Sequence, residues 1–167
     1  MYQCGERVLY GIHGVCTVMG IENRIIDRKN VEYYILEPIE QPGARYMVPT
    51  QNQAAVSRMK KLLTAHELHE ILSSQTVTED AWIQDENKRK LHYKDLIQNM
   101  DRAAILRMIC SLYRHKQQLK ITGKKFHASD ENFLRDAEKL LSAEFSLILN
   151  IPQNQVGEYI QNALKME

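Results

Sequence analysis

The spacing of apolar residues changes near residue 62, from alternation with a period of about two to a helical period of about 3.6. The segments RVLY, VCTVMGIENRII and VEYYILEPI before this point are rich in β-branched and aromatic residues, and the polar turn DRKN separates the last two. Such composition is typical of strands joined by tight turns. We therefore predict about five short strands in the first sixty residues, forming a small, strongly curved β-barrel.

The chain after residue 62 predicts helices. TAHELHEILSS begins with a capping-box pair, Thr64 and Glu67,. A long helix is expected from Glu79 to Gln98, with Trp82 in its first turns, and Ser129 or Asp130 is a candidate cap for a later helix. The apolar positions of the next two helices are Ile105, Met108, Ile109 and Leu112, then Leu134, Ala137, Leu141, Phe145 and Ile148. The predicted fold is therefore α+β, with a barrel domain over residues 1–61 and an all-α bundle of about five helices over residues 62–167.

The overall composition is that of an ordinary folded protein, with 44% hydrophobic and 26% charged residues in 167,. No apolar run has the length of a membrane span, and the start MYQCGERVLY does not resemble a signal peptide,. We expect a cytoplasmic protein without a membrane partner. The three cysteines, Cys4, Cys16 and Cys110, form no C-x-x-C pair and are interpreted as small buried apolar side chains,.

The net charge of +1 conceals an uneven distribution. Residues 63–86 contain six acidic residues and no lysine or arginine, whereas residues 87–127 contain eleven lysines and arginines against two acids. Residues 128–167 are again acidic. Such a basic block indicates a polyanionic partner, or else a solvated helical surface whose charges pair with the acidic segments. The sequence does not decide between these two interpretations.

The basic block is too dense to occupy one face of one helix. We expect it to form a broad positive surface that binds phosphates with little reading of base sequence. Its members taken as candidate DNA contacts are Lys88, Arg89, Lys90, Lys94, Arg114, Lys124 and Lys125.

Catalytic motifs are absent from the sequence. There is no P-loop, no G-x-S-x-G and no G-x-G-x-x-G,. HELHE differs from the metalloprotease signature because Glu70 occupies the position of the second histidine, and His66 and His69 have no evident third ligand,. We therefore expect no catalysis, no metal, no cofactor and no small-molecule substrate.

Trp82 is the only tryptophan and lies at the edge of the charge step. A single tryptophan usually packs in a core. An apolar ring beside a phosphate-binding surface can instead wedge into the minor groove or stack on an unpaired base. The acidic residues around Trp82, which must stay solvated, favour an exposed position.

The sequence resembles a known family over nearly its whole length. GERVLYGIHGVCTVMGIENR and VEYYILEPIEQPGARYMVPTQN resemble the RNA-polymerase-interacting domain of the CarD family of bacterial transcription regulators, a domain also found in transcription-repair coupling factors. DAWIQDENKRK, GKKF and FLRDAEKLLSAEF are similar to the DNA-binding bundle of that family. The resemblance implies a Tudor-like module that docks on the polymerase β subunit. It also implies a helical module that contacts promoter DNA at the upstream edge of the bubble, often at ribosomal RNA genes.

The resemblance also implies roles for individual residues. Arg24 matches a polymerase-contacting arginine, and Met47, just before Val48 and Pro49, occupies the position of a second one. Arg45 lies two residues earlier, on the same strand face, and can substitute for it. Trp82 matches the wedge, although the stretch IQDE follows it before the basic run. Four extra residues, if helical, would add about one turn.

Two functions from different classes follow. The first is a regulator that bridges polymerase and double-stranded promoter DNA and modulates open-complex stability. The second is a protein-interaction adaptor of the transcription machinery that does not bind DNA directly and works through its acidic segments.

Overall fold

The chain divides into two compact units, Met1–Leu62 and Leu63–Glu167. The computed structural model describes residues 1–164, apart from the Thr78 side chain. Among these residues, no helix is both long enough and apolar enough to cross a bilayer.

The first unit is a five-stranded antiparallel sheet with the strand order β4-β3-β2-β1-β5. Its strands are β1 (Arg7–Tyr10), β2 (Val15–Ile26), β3 (Lys29–Pro38), β4 (Tyr46–Pro49) and β5 (Met59–Lys61), with a four-residue helix, α1 (Gln53–Val56), before β5. Its core consists of Val8, Cys16, Val18, Tyr34, Leu36, Val48 and Met59.

The sheet is open, which differs from the barrel predicted from the strand pattern. Within the described residues, β4 and β5 are the two edge strands and do not pair with each other. The chain leaves β4 into α1, whose Ala55 and Val56 pack against the core. Tyr2, Tyr10 and Tyr46 pack against the same core.

Two local backbone features shape the long β2–β3 hairpin. Asp27 and Arg28 both have positive φ, 50° and 63°, as a two-residue hairpin turn with the right twist requires,. The observed turn therefore consists of Asp27 and Arg28 instead of the four predicted residues DRKN, because β3 begins at Lys29. A bulge lies between Val18 and Gly20, where Gly20 has φ 147°, and it increases the local twist of β2,.

Over its described residues, 63–164, the second unit contains five α-helices. They are α2 (Ala65–Ser73), α3 (Glu86–Asn99), α4 (Arg102–Ile121), α5 (Ala128–Leu149) and α6 (Gln153–Ala163), with a short 3-10 turn (Gln75–Thr78) after α2. The mixed α+β class with about five C-terminal helices is thereby confirmed.

The predicted helix signals are mostly correct in this unit. The capping box is present, with the Thr64 and Glu67 side chains each accepting from the backbone N–H of the other. The apolar stripe of α4 is buried, and on α5 the stripe is buried from Leu134 to Phe145. The predicted cap of α5 is wrong: residue His127 precedes the helix without a side-chain cap bond, and Asp130 is buried instead.

Candidate interaction surfaces

An exposed ion-pair cluster lies on the β2 side of the first unit. The Arg24 guanidinium lies 2.6 Å from one oxygen of Glu22, and that of Arg45 lies 3.6 Å from the other oxygen. Both arginine side chains remain more than half exposed. Exposed pairs of this kind contribute at most about 1 kcal/mol to stability, so both arginines remain available to a partner.

Met47 and Pro49 share the sheet face of this cluster. Directly opposed residues of antiparallel strands point to the same side. Tyr33 stands opposite both Glu22 and Pro49, and Met47 alternates with Pro49 along β4,. We call this surface the β2–β4 face. It comprises Glu22, Arg24, Tyr33, Arg45, Met47 and Pro49.

The β2–β4 face brings together all four residues that the sequence marked for polymerase contact. Met47 is 50% exposed, although it is apolar. Glu22 and Tyr33 complete the face but were not singled out from the sequence. Finding them requires the strand register, because no local motif marks them.

Trp82 lies in a non-helical segment rather than in a helix. Residues 79–85 connect the 3-10 turn to α3, and the prediction of a helix from Glu79 is wrong. Asp85 ends the segment by capping α3, since its carboxylate accepts from the Lys88 N–H at 2.9 Å. The helical turn expected between Trp82 and the basic run is therefore absent, because residues 83–85 form a non-helical connection and α3 begins at Glu86.

The indole of Trp82 is partly buried against α3 and α4. It stacks on the His115 imidazole, with ring centroids 3.5 Å apart and planes 20° apart. The carbon of the Arg89 guanidinium lies 4.2 Å from its centroid. The indole N–H is buried and lacks a hydrogen-bond partner among the described residues. Trp82 is thus neither sealed in the core nor freely extended.

Arg89 is internal, although the sequence places it in the basic run. It is only 2% exposed, and its guanidinium makes a two-pronged pair with the Asp130 carboxylate at 3.0 and 2.8 Å. It also donates to the Ile83 carbonyl at 2.7 Å. Arg89 is therefore not part of an exposed phosphate-binding surface. No local pattern marks Asp130 as its partner, because the two residues lie 41 positions apart in the chain.

The other predicted basic residues are distributed over α3, α4 and the loop before α5. Lys88 and Lys94 are exposed, whereas Lys90 pairs with Glu86 at 2.5 Å across one turn of α3. Arg114 is partly buried on α4. Lys124 and Lys125 are exposed in the loop before α5.

A row of rings connects Trp82 to the lysine loop. The His115 ring lies 6.4 Å from that of Phe126, centroid to centroid, and Phe126 directly follows Lys125. Burial lowers the pKa of His115, and the nearby Asp130 carboxylate opposes that shift only in part. A neutral imidazole therefore stacks on the indole at neutral pH. The geometry places the partly exposed indole and two exposed lysines around one aromatic row.

The two histidines of HELHE make only local contacts. His66 lies 3.6 Å from Glu70, and His69 lies 3.5 Å from the Ser73 hydroxyl. Residues 1–164 contain no group of three or more potential metal-binding side chains. The geometry gives no support for a zinc site here.

Comparison with known proteins identifies the first unit. Residues 2–60 match the model of the CarD-like/TRCF RID domain. A search of curated proteins found no match. This family interacts with RNA polymerase and comprises protein-interaction domains rather than a known enzyme class. The N-terminal unit, over residues 2–60, is thus a CarD-like/TRCF RID domain, which indicates a transcription-related protein.

Proposed function

We propose that this chain is a non-catalytic transcription regulator that docks on the β subunit of RNA polymerase and on promoter DNA. It modulates open-complex stability at the upstream edge of the bubble, in the cytoplasm at the nucleoid, with ribosomal RNA promoters among its targets. The RID match over residues 2–60 carries the proposal, because it supplies the polymerase partner. A Tudor-like relationship of the β unit belongs to the same proposal.

The β2–β4 face has the character expected of a docking surface. It combines two exposed guanidinium groups with the exposed apolar side chain of Met47. Protein interfaces are enriched in arginine, methionine and aromatic residues. In this proposal Arg45, held beside Glu22, supplies the positive charge that Met47 does not carry.

The helical unit has a suitable arrangement for DNA. Exposed lysines contact phosphates, and the indole reaches a base step that the phosphate contacts bring close. The proposed DNA contacts are Trp82, Lys88, Lys90, Lys94, Arg114, Lys124 and Lys125. Arg89 is left out because its side chain is buried and paired.

The proposed mechanism is differential binding. A protein that binds melted DNA better than closed DNA shifts the promoter equilibrium by the difference between the two binding free energies, and by no more. One stacked or wedged aromatic contributes about 1–3 kcal/mol. That difference corresponds to roughly a 5- to 150-fold change in open-complex lifetime. The slow step of each promoter then determines whether the effect is activation or repression.

Trp82→Ala tests the DNA half of the proposal. We expect the open-complex lifetime to fall by about 5- to 150-fold while polymerase binding is unchanged. The lifetime is measured with purified polymerase, after a competitor is added to the preformed promoter complex. Trp82→Phe is the matched control, since it keeps an aromatic ring and should retain part of the effect. Equal lifetimes for the alanine variant and the unaltered protein would refute the wedge.

Arg24→Glu tests the polymerase half. Reversing this charge should weaken capture of the purified β subunit while DNA affinity of the free protein is unchanged. Arg58→Glu is the control, because Arg58 is also an exposed arginine of the first unit but lies outside the β2–β4 face. Equal capture by both variants would count against this face as the docking surface.

An adaptor that does not touch DNA is the second candidate. The internal role of Arg89 and the stacked position of Trp82 favour it, because both reduce the surface available to DNA. Salt dependence of DNA binding separates the two functions. Changing Lys124 and Lys125 to glutamine should lower the slope of log affinity against log salt by about two if both contact phosphates. Lys29→Gln, in the first unit, should leave the slope unchanged, and no measurable DNA affinity at low salt would favour the adaptor.

A further inference from the structure

Arg89 uses its guanidinium to hold the segment that carries Trp82. Two nitrogens engage both oxygens of Asp130, at 3.0 and 2.8 Å. The third nitrogen donates to the Ile83 carbonyl at 2.7 Å and approaches that of Gln84 at 3.4 Å. The two residues that follow Trp82 are thus tied to α3, and through Asp130 to α5.

The other side of Trp82 is also anchored. The Trp82 backbone N–H donates to the Asp80 carboxylate at 3.1 Å, and the hydroxyl of Ser111 donates to the same oxygen at 3.0 Å. Ser111 is buried in α4. The backbone of Trp82 is therefore fixed to α4 on one side and to α3 on the other.

The same guanidinium contacts the ring itself. Its carbon lies 4.2 Å from the indole centroid, within the range of a cation–π contact,. A planar guanidinium can pair with a carboxylate while stacking on an aromatic ring, which the compact ammonium group of lysine cannot do. Its charge is already paired with a carboxylate that has 0% exposure.

We infer that Arg89 is a positioning residue: paired with Asp130, it fixes the pose in which Trp82 meets DNA, and it does not itself bind phosphate. This inference rests on the proposed function of Trp82 as the DNA-contacting ring. It assigns a different role to one arginine of the basic run, since its neighbours Lys88 and Lys90 act from the surface.

Intrinsic fluorescence tests the positioning directly, because Trp82 is the only tryptophan of the chain. Arg89→Lys keeps the charge but loses the two-pronged pairing and the stacking. We expect a red-shifted emission and greater quenching by acrylamide in the free protein, with the helical circular dichroism retained. A folded Arg89→Lys protein with unchanged emission and quenching would overturn the inference.

A second variant covers the case in which Arg89→Lys does not fold. Asp80→Ala removes the other anchor of Trp82 without touching the buried ion pair, and Asp80 is exposed. It should also increase quenching of Trp82. Glu79→Ala is the matched control, since it changes a neighbouring exposed acid for which no contact to Trp82 is seen in residues 1–164. Equal quenching in the Asp80 and Glu79 variants would contradict the anchoring.

Open-complex lifetimes then separate positioning from phosphate binding. Arg89→Lys should shorten the open-complex lifetime toward the value seen with Trp82→Ala. The variant that combines both changes should have a lifetime no shorter than that of Trp82→Ala alone. The slope of log DNA affinity against log salt should be the same for Arg89→Lys, and for Arg89→Gln if that variant folds, as for the unaltered protein. Loss of a phosphate contact would instead reduce the slope by about one. Additive losses with a reduced slope would overturn the inference. A Trp82→Ala variant without any effect would instead refute the proposed function, leaving the fluorescence measurement to decide the positioning.

Discussion

Glu144 provides the sharpest test of what stabilises the helical unit. Its carboxylate has 0% exposure and accepts from two nitrogens of Arg102, at 3.0 and 2.9 Å, and from the Leu63 N–H at 3.0 Å. The side chain of Arg102 is itself only 10% exposed. One carboxylate therefore joins α4, α5 and the first residue of the unit.

Replacing Glu144 with alanine should be strongly destabilising. The change removes the carboxylate partner of a largely buried guanidinium, and breaking such a pair costs about 3–5 kcal/mol. Whole domains are stable by only about 5–15 kcal/mol, so the loss is a large fraction of the total. For a unit of this size each kcal/mol corresponds to about 4 °C in Tm, which predicts a decrease of at least roughly 12 °C.

Urea and thermal unfolding followed by far-UV circular dichroism measure this effect. Glu131→Ala is the matched control on the same helix, since Glu131 pairs with Lys116 at 3.0 Å but both side chains are more than 40% exposed. That exposed pair should contribute less than about 1 kcal/mol. Equal losses in the Glu144 and Glu131 variants would refute the reasoning, because burial would then make no difference to the energy of the pair.

Three further predictions concern single groups. Burial lowers the pKa of His115, so as the pH falls the imidazole is protonated in the unfolded state before it is protonated in the folded state. The unfolding free energy should therefore decrease below about pH 6.5. Urea titrations of His115→Gln should show a shallower decrease, and an unchanged decrease would exclude this group as a source. Asp85→Ala should cost about 1 kcal/mol in unfolding free energy through loss of the α3 cap, while Asp85→Asn should retain most of the stability,. Thiol titration with a chromogenic disulfide at pH 8 should detect Cys4 in the native protein, but Cys16 and Cys110 only after denaturation. Cys16 and Cys110 are both buried, which raises the pKa of each thiol, that of Cys16 to about 11. Rapid reaction of all three thiols in the native protein would contradict this burial.

Local features of the sequence were reliable where the structure depends on neighbouring residues. The capping box of Thr64 and Glu67 is present because its two hydrogen bonds span only three residues. The buried stripe of α4 follows from helical spacing alone,. The helix predicted from Glu79 is wrong because the cap at Asp85 and the hydrogen bond from Arg89 to Ile83 favour a non-helical connection.

Interactions between distant residues decided the rest of the candidate sites. Arg89 has the same sequence context as its lysine neighbours, yet it is buried because it pairs with the carboxylate of Asp130, 41 residues away. The β2–β4 face depends on strand register, which sets Tyr33 opposite both Glu22 and Pro49. Whether a sheet closes into a barrel depends on its two edge strands, and the pattern of a single strand does not specify its pairing partner.

The amino-acid sequence by itself determined the change from strands to helices near residue 62, the resemblance of the first sixty residues to a polymerase-interacting domain, and the concentration of basic residues between 87 and 127. Each of these features follows from the spacing or the composition of residues along the chain. Only the tertiary structure decided that the sheet stays open, that Arg89 is buried against Asp130, and that Trp82 rests on His115. Such contacts join residues far apart in the chain, and burial, which alters the energy of a charge or an aromatic ring, exists only after the chain has folded.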